Sequence, residues 1–487
     1  MSEGDRPARL LIAVAATLCV AGLAAAVGLV ATRNRTPRAR SHAANVSSPV
    51  PSTTVPSPVA PTPAPKKRPP VDPLEDIDQD QLLQCIRATG ALPGSHSNPD
   101  LTTLRAPRVV QLVADADESV RDLHFTKKIP FDLISQKEMD RRVIHMSLAG
   151  YTKDQAANDS QILAMLGAVP PATDLRSVAR EALGGQVAGF YDDEKRKLVV
   201  GSSGASKLDP TEITTLAHEL DHGLVDQALG FPALHDGSPL LADESLARHA
   251  VLEGDAVLDQ TFFEFSYLSV HQQLQTSDDP AAKRADRQLA RVPHYLTAGF
   301  LFPYTAGVNF ACHLYLQGGW QTVDEAYFKP PVSSAQIMWP SRYEHHDRPV
   351  APRASETPAG WQLAARTAIG AADLKALFEA PGDDASRALA DPESRAAAWA
   401  GGRAELFRSN DQVALGIQLV QHRGSNDLCD SIRTWYRRAF PDAVVTATSP
   451  ADMTLDGSGV TTVIGCSGDN VRVGIAPTLD VARDLSS

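Results

Sequence analysis

The run of apolar and polar positions divides the chain into three regimes. From Leu10 to Thr32 no charged residue occurs in 23 positions, and most are Ala, Val and Leu. That length reaches the roughly 20 residues a helix needs to cross a bilayer core. It exceeds the roughly 7–15 apolar residues of a signal peptide. The segment predicts an uncleaved signal anchor, although Ala24-Ala25-Ala26 would also suit a cleavage site. Leu18 before Cys19 argues against a lipoprotein site. Residues 47–73 are a Ser/Thr/Pro/Ala tract with no apolar period, which reads as a semi-rigid spacer.

Past the spacer, folded periodicity begins. A helical period over Pro107 to Leu123 places Val109, Val110, Leu112, Val113, Ala116 and Val120 on one face. Ile129 to Ile134 reads as a strand, and Lys137 to Leu148 and Lys153 to Leu166 read as helices. Val187 to Tyr191 and Lys197 to Gly201 flank the polar turn 192–196, a hairpin pattern. Helices dominate from Asp209 to about Tyr327, and a weakly periodic, Pro/Ser/Glu-rich stretch follows over about 345–400. The end of the chain mixes a helix (Leu428 to Phe440) with strands at Val444 to Ala447, Val460 to Gly465 and Val471 to Ala476. The expected class is α+β and helix-rich, with a small β-sheet in the main domain and a small mixed C-terminal domain. The divisions expected are a cytoplasmic tail (1–9), the anchor (10–32), a linker (33–73), the main domain (74–345), a connecting segment (346–402) and the C-terminal domain (403–487).

Charge alters the picture in one respect. The chain carries −12 overall, yet residues 1–71 hold two acids against nine bases, so the body is strongly acidic. A body of that sign is a poor candidate for binding nucleic acid through a basic face. The four cysteines beyond the anchor form no C-x-x-C pair, which argues against a thiolate zinc site. Cys429 with Cys466 and Cys85 with Cys312 would make two bridges. Four arginines after the span favour a cytoplasmic body, whereas the spacer and the even cysteine count favour an extracytoplasmic one. The second placement is the expectation: a single-pass protein of the cell membrane.

The chemistry is concentrated between Leu208 and His222. Asp209 suits an N-cap, Pro210 the first helical position and Glu212 the third, a capping-box pattern. Ile213, Leu216, Ala217, Leu220 and Leu224 form an apolar stripe. On this helix His218 and His222 are four residues apart, so both imidazoles can reach one Zn²⁺. Glu219 lies one position round, placed to act on a metal-bound water without being a ligand. With 14 His, chance placement of H-E-x-x-H is expected on the order of 0.01 times in this chain. A catalytic zinc wants a third protein ligand. Glu253, bordered by apolar neighbours and Gly254, is the expected one, and His249 is the alternative. Asp226, Asp255 and Asp259 are candidates to orient a ligating imidazole.

The segment Thr215 to Gln227, with Glu253-Gly254-Asp255-Ala256, resembles a family of bacterial zinc metallopeptidases of gluzincin type. Phe302-Pro303-Tyr304, Gly307, Leu314-Tyr315, Gly318-Gly319-Trp320, Tyr327 and the run Pro330 to Met338 look like that family's downstream blocks. The resemblance covers roughly residues 105–345. It implies a zincin fold: a small sheet, the motif helix and a ligand-bearing helix behind it. The chain departs from the pattern at Asp221, at Gly223 and at Trp339-Pro340, where His-Pro is usual.

The residues then imply peptide-bond hydrolysis at zinc, with Glu219 as general base and then acid. A donor to the tetrahedral intermediate would come from Tyr304, Tyr343, His345 or His346; Tyr343 is the one assigned. The hairpin 187–201 offers an exposed edge to which an extended peptide could add. Two other readings compete: a zinc-binding cell-envelope adaptor without turnover, and a zinc hydrolase of peptidoglycan.

Overall fold

The computed structural model describes residues 76–487 apart from 184–186, 188, 203–206, 233–242, 278–279, 423–426 and 458. The helices are α1 (Gln79–Ala88), α2 (Ala106–Arg121), α3 (Gln136–Ser147), α4 (Lys153–Met165), α5 (Leu175–Leu183), α6 (Pro210–Ala228) and α7 (Asp243–Tyr267). They continue with α8 (Val270–Ser277), α9 (Pro280–Leu289), α10 (His294–Gly318), α11 (Trp320–Phe328), α12 (Ser334–Met338) and α13 (Pro340–Glu344). The C-terminal part adds α14 (Ala371–Glu379), α15 (Pro392–Ala396), α16 (Asp427–Ala439) and α17 (Leu479–Leu485). Helices predominate and the strands gather into two separate sheets, an α+β architecture.

A three-stranded sheet accompanies the first helices. β1 (Phe131–Ser135) runs parallel to β3 (Lys197–Ser202), and β2 (Gly189–Asp192) pairs antiparallel on the other side of β3. The expected hairpin is present, but β2 is buried along its whole length rather than offering an exposed edge. Val109 and Val113 of α2, Leu198 and Val200 of β3, and Ile213, Leu216 and Leu220 of α6 share one apolar cluster. That cluster seats α6 against the sheet.

The second sheet has seven antiparallel strands in the order β4-β5-β6-β10-β9-β8-β7. They are β4 (Gln362–Ala368), β5 (Trp399–Ser409), β6 (Gln412–Gln421), β7 (Val444–Thr448), β8 (Asp452–Gly457), β9 (Val460–Ser467) and β10 (Asn470–Ala476). The stretch expected only to connect, 346–402, supplies β4 and α14 and begins β5. Its strand signal is faint because β4 is largely exposed and carries Gln, Arg and Thr between alanines. Leu406, Leu415, Ile464 and Val473 of this sheet join Leu163, Val257, Tyr304 and Leu374 in one continuous core. Both bridges form as paired from the sequence: Cys85–Cys312 ties α1 to α10, and Cys429–Cys466 ties α16 to β9.

The expectation of a membrane-anchored chain with an extracytoplasmic body requires correction. Among the described residues no helix is long and apolar enough to cross a membrane. Leu10–Thr32, the segment on which that expectation rested, lies outside the described residues. α10 has the length, at 25 residues, but His294, Asn309, His313 and Gln317 interrupt its apolar run.

Candidate metal centre

α6 starts as its sequence dictates. The Asp209 carboxylate accepts from Glu212 N–H, Glu212 accepts from Asp209 N–H, and Pro210 opens the first turn. What the periodicity does not convey is that both faces of this helix are buried. Ile213 to Val225 is inaccessible throughout, including His218, Glu219, Asp221 and His222. A helix enclosed on all sides must satisfy its polar face internally.

α7 lies behind it and is held close to α10. A Cβ on Gly254 would come within 2.2 Å of the Gly307 backbone, and one on Gly307 within 2.4 Å of Ala250 O. Only glycine permits that approach, which sets Glu253 at a fixed depth beneath the motif helix. Gly223, which departs from the family pattern, has a comparable reason: a Cβ there would meet Ile129 Cδ1 at 2.2 Å.

His218, His222 and Glu253 present ligand atoms that all lie within 4.8 Å of one another. Glu253 Oε2 stands 3.1 Å from His218 Nε2 and 3.5 Å from His222 Nε2. Two atoms each 2.0–2.1 Å from a tetrahedral ion would stand about 3.4 Å apart. The spacing and the His₂Glu donor set therefore fit zinc. Burial alone would lower the His222 pKa, but Glu253, Glu219 and Asp221 outweigh it and push it up to about 9. Burial would raise Glu253, yet the His222 charge and hydrogen bonds from His218, His222 and His249 hold it well below the usual carboxylate range.

Glu219 stands beside these ligands on a different tether. Its Oε2 accepts from the backbone N–H of Tyr191 in β2 at 2.7 Å, while Oε1 has no hydrogen-bond partner. Burial raises its pKa, against the lowering effect of the two histidines. Tyr191 is braced in turn, donating its hydroxyl to Asp226 Oδ2 at 2.9 Å. Asp226 thus orients Tyr191 rather than an imidazole. Phe231 meets the rings of both Tyr191 and His222 edge-on, and Tyr304 stacks on His218 at 6.3 Å between centroids.

Asp221 faces away from the ligands into a buried charge network. Arg121, fully buried at the end of α2, lies 3.4 Å from Asp221, 2.9 Å from Asp255 and 2.8 Å from Asp324. Its guanidinium also packs on the Trp320 ring at 4.2 Å. Tyr327 donates to Asp255 at 2.6 Å. Burial works against the Arg121 charge, but Asp255, Asp221 and Asp324 hold it protonated. Burial pushes Asp221 up to about 8, with Asp255 adding to the rise and Arg121 opposing it. One arginine therefore links α2 to the residue before His222 and to the residue two after Glu253.

The remaining expectations divide. His249 is outside the ligand group and instead bonds Glu253 Oε1 through Nε2 at 3.0 Å. Asp255 belongs to the arginine network, and the Asp259 oxygens have no hydrogen-bond partner. Tyr343 is not brought to the ligands: its hydroxyl donates to Lys329 O at 2.9 Å and its ring packs on Phe310. His345 bonds its own turn at Ser341 O, and His346 is exposed. Of the four oxyanion candidates, the fold brings Tyr304 to a ligand. Sequence reading passed over Arg121, Tyr191 and Asp324. Arg121 reads there as an ordinary last-turn base, and Tyr191 acts through its backbone, which no side-chain pattern reveals.

No family model matches the chain, and neither a curated protein nor a solved structure matches it.

Proposed function

We propose that the chain is a zinc-dependent peptidase. The observation that carries this reading is the convergence of His218, His222 and Glu253 with Glu219 beside them on a separate tether. Zinc held by the three ligands would supply Lewis acidity and an acidified water. Glu219 is arranged to move the proton. Its Oε2 is pinned by Tyr191 N–H, so Oε1 is the atom left to accept, and burial makes it more basic than an ordinary carboxylate. The same carboxyl would return that proton to the leaving amine. Tyr304 and Phe231 wall the two imidazoles with aromatic surface, which keeps the local dielectric low and strengthens every charge interaction there. The resemblance of α6 and the Glu253 turn to gluzincin peptidases supports the same reading.

One observation favours a second reading, a zinc centre without turnover. His218, Glu219 and Glu253 are 0% exposed and His222 is 1% exposed, as in a closed structural site. Glu219→Gln separates the two. It is expected to retain one zinc per chain and to lose cleavage of casein and of a peptide library. Purified peptidoglycan, assayed in parallel, distinguishes a wall hydrolase. Wild-type protein loaded with zinc that cleaves none of these would overturn the peptidase reading.

A further inference from the structure

A carboxylate that ligates a metal has two oxygens, and the fate of the second decides how many coordination positions it fills. In this chain the two oxygens of Glu253 have different partners. Oε2 faces His218 and His222 at 3.1 and 3.5 Å. Oε1 faces His249, one turn earlier on α7, at 3.0 Å from its Nε2. His249 is itself more than nine-tenths buried. We propose that His249 is a positioning residue for the metal centre: its Nε2–H occupies Glu253 Oε1 and keeps Glu253 a one-oxygen ligand. This rests on reading His218, His222 and Glu253 as the metal ligands.

The helix geometry makes the arrangement nearly automatic. Residues four apart on α7 stack on one face, which sets His249 beside Glu253. A donor fixed on Oε1 leaves Oε2 alone to face the ion, and with two imidazoles that makes three bonds and one open position. Without the donor, Oε1 can swing inward and fill that position. A catalytic centre requires it open. Interactions of this kind, one shell out from the metal, typically contribute 10–100-fold in metal affinity.

The side chain also has room to be changed. The other side of His249 lines a cavity between α10 and α14, alongside Leu246, Phe302 and Asp373. Shortening or reshaping it therefore enlarges existing space rather than sealing a new void. That permits a pair of informative variants. His249→Gln keeps an N–H donor near the position of Nε2, whereas His249→Leu keeps bulk without a donor.

The experiment is zinc titration by chelator competition on the full chain, with the absorption spectrum of the Co²⁺-loaded form as a second readout. Metal-free circular dichroism of each variant establishes that it is folded. His249→Leu is expected to bind about 10–100-fold more weakly, with Co²⁺ absorption falling as coordination rises from four toward five. His249→Gln is expected to stay within a few-fold of wild type and keep its spectrum. Equal affinity in His249→Leu would overturn the proposal. So would loss of zinc in both variants with a changed cobalt spectrum, which would make His249 a ligand. Wild-type protein that binds no zinc would overturn the metal centre itself, a result distinct from either.

Discussion

Arg121 is the residue whose removal should cost most relative to its inconspicuous place in the sequence. Its side chain is wholly buried, and so are those of Asp221 and Asp255, while Asp324 is one-fifth exposed. In Arg121→Met the long apolar stem is roughly retained, so packing against Trp320 survives in part and the charge is what disappears. Asp255 then loses a 2.9 Å charge-assisted bond and keeps only the Tyr327 hydroxyl. Breaking one partner of a buried ion pair in this way costs about 3–5 kcal/mol, measured as the loss of unfolding free energy in urea. The pH dependence gives a sharper check. Without Arg121, which opposes the rise, the folded-state pKa of Asp221 climbs further above its unfolded value. Protons are then taken up on folding, so the deficit should be largest well above pH 8 and shrink as pH falls through about 8. Adding Asp255→Asn should recover about 2 kcal/mol, because the orphaned charge is then gone. A loss under about 1 kcal/mol, or one that grows on acidification, would refute the account.

Two further outcomes are expected. Because Glu253, Glu219 and Asp221 raise the His222 pKa to about 9, metal-free protein carries a proton there at neutral pH, and a zinc ion bound at His222 would have to displace it. Calorimetry at pH 7 in buffers of different ionisation enthalpy should show about one proton released per zinc, with affinity weakening roughly tenfold per pH unit below neutrality; no release would count against His222 as a ligand. Gly254→Ala forces a methyl against the Gly307 backbone and should cost about 1–3 kcal/mol together with zinc affinity. Gly299→Ala, facing open space on α10, should stabilise by about 0.5–1 kcal/mol; equal effects from the two in urea unfolding would contradict the close helix crossing.

Local rules carried the reading of the motif helix, and long-range ones defeated the reading of its surroundings. The Asp209–Glu212 box, Pro210 and the four-residue spacing of His218 and His222 each act within one or two turns, so their geometry was legible before any fold was known. Glu253 was legible for a related reason: an acid amid apolar neighbours needs a buried partner. Tyr343 lies beyond local rules, because packing sets where the α12–α13 turn delivers its hydroxyl, and the turn delivers it to Lys329 O. The hairpin's strands were legible, but not that β2 would be enclosed and lend a backbone N–H to Glu219.

By itself, then, the sequence determined that the chain is helix-rich, that one helix starts at the Asp209 box and carries His218, Glu219 and His222 on it, and that the four cysteines beyond the first apolar segment admit only three pairings. These follow from short-range periodicity, capping chemistry and a small number of alternatives. Only the tertiary structure decided which oxygen of Glu253 faces the histidines, that His249 holds the other, and that Arg121 neutralises the acids behind the site. Those assignments join residues on different helices, or depend on which oxygen of Glu253 a side chain one turn away reaches. Such relations are set by how packed elements approach one another, down to the absence of a Cβ at Gly254 and Gly307, and no local pattern encodes them.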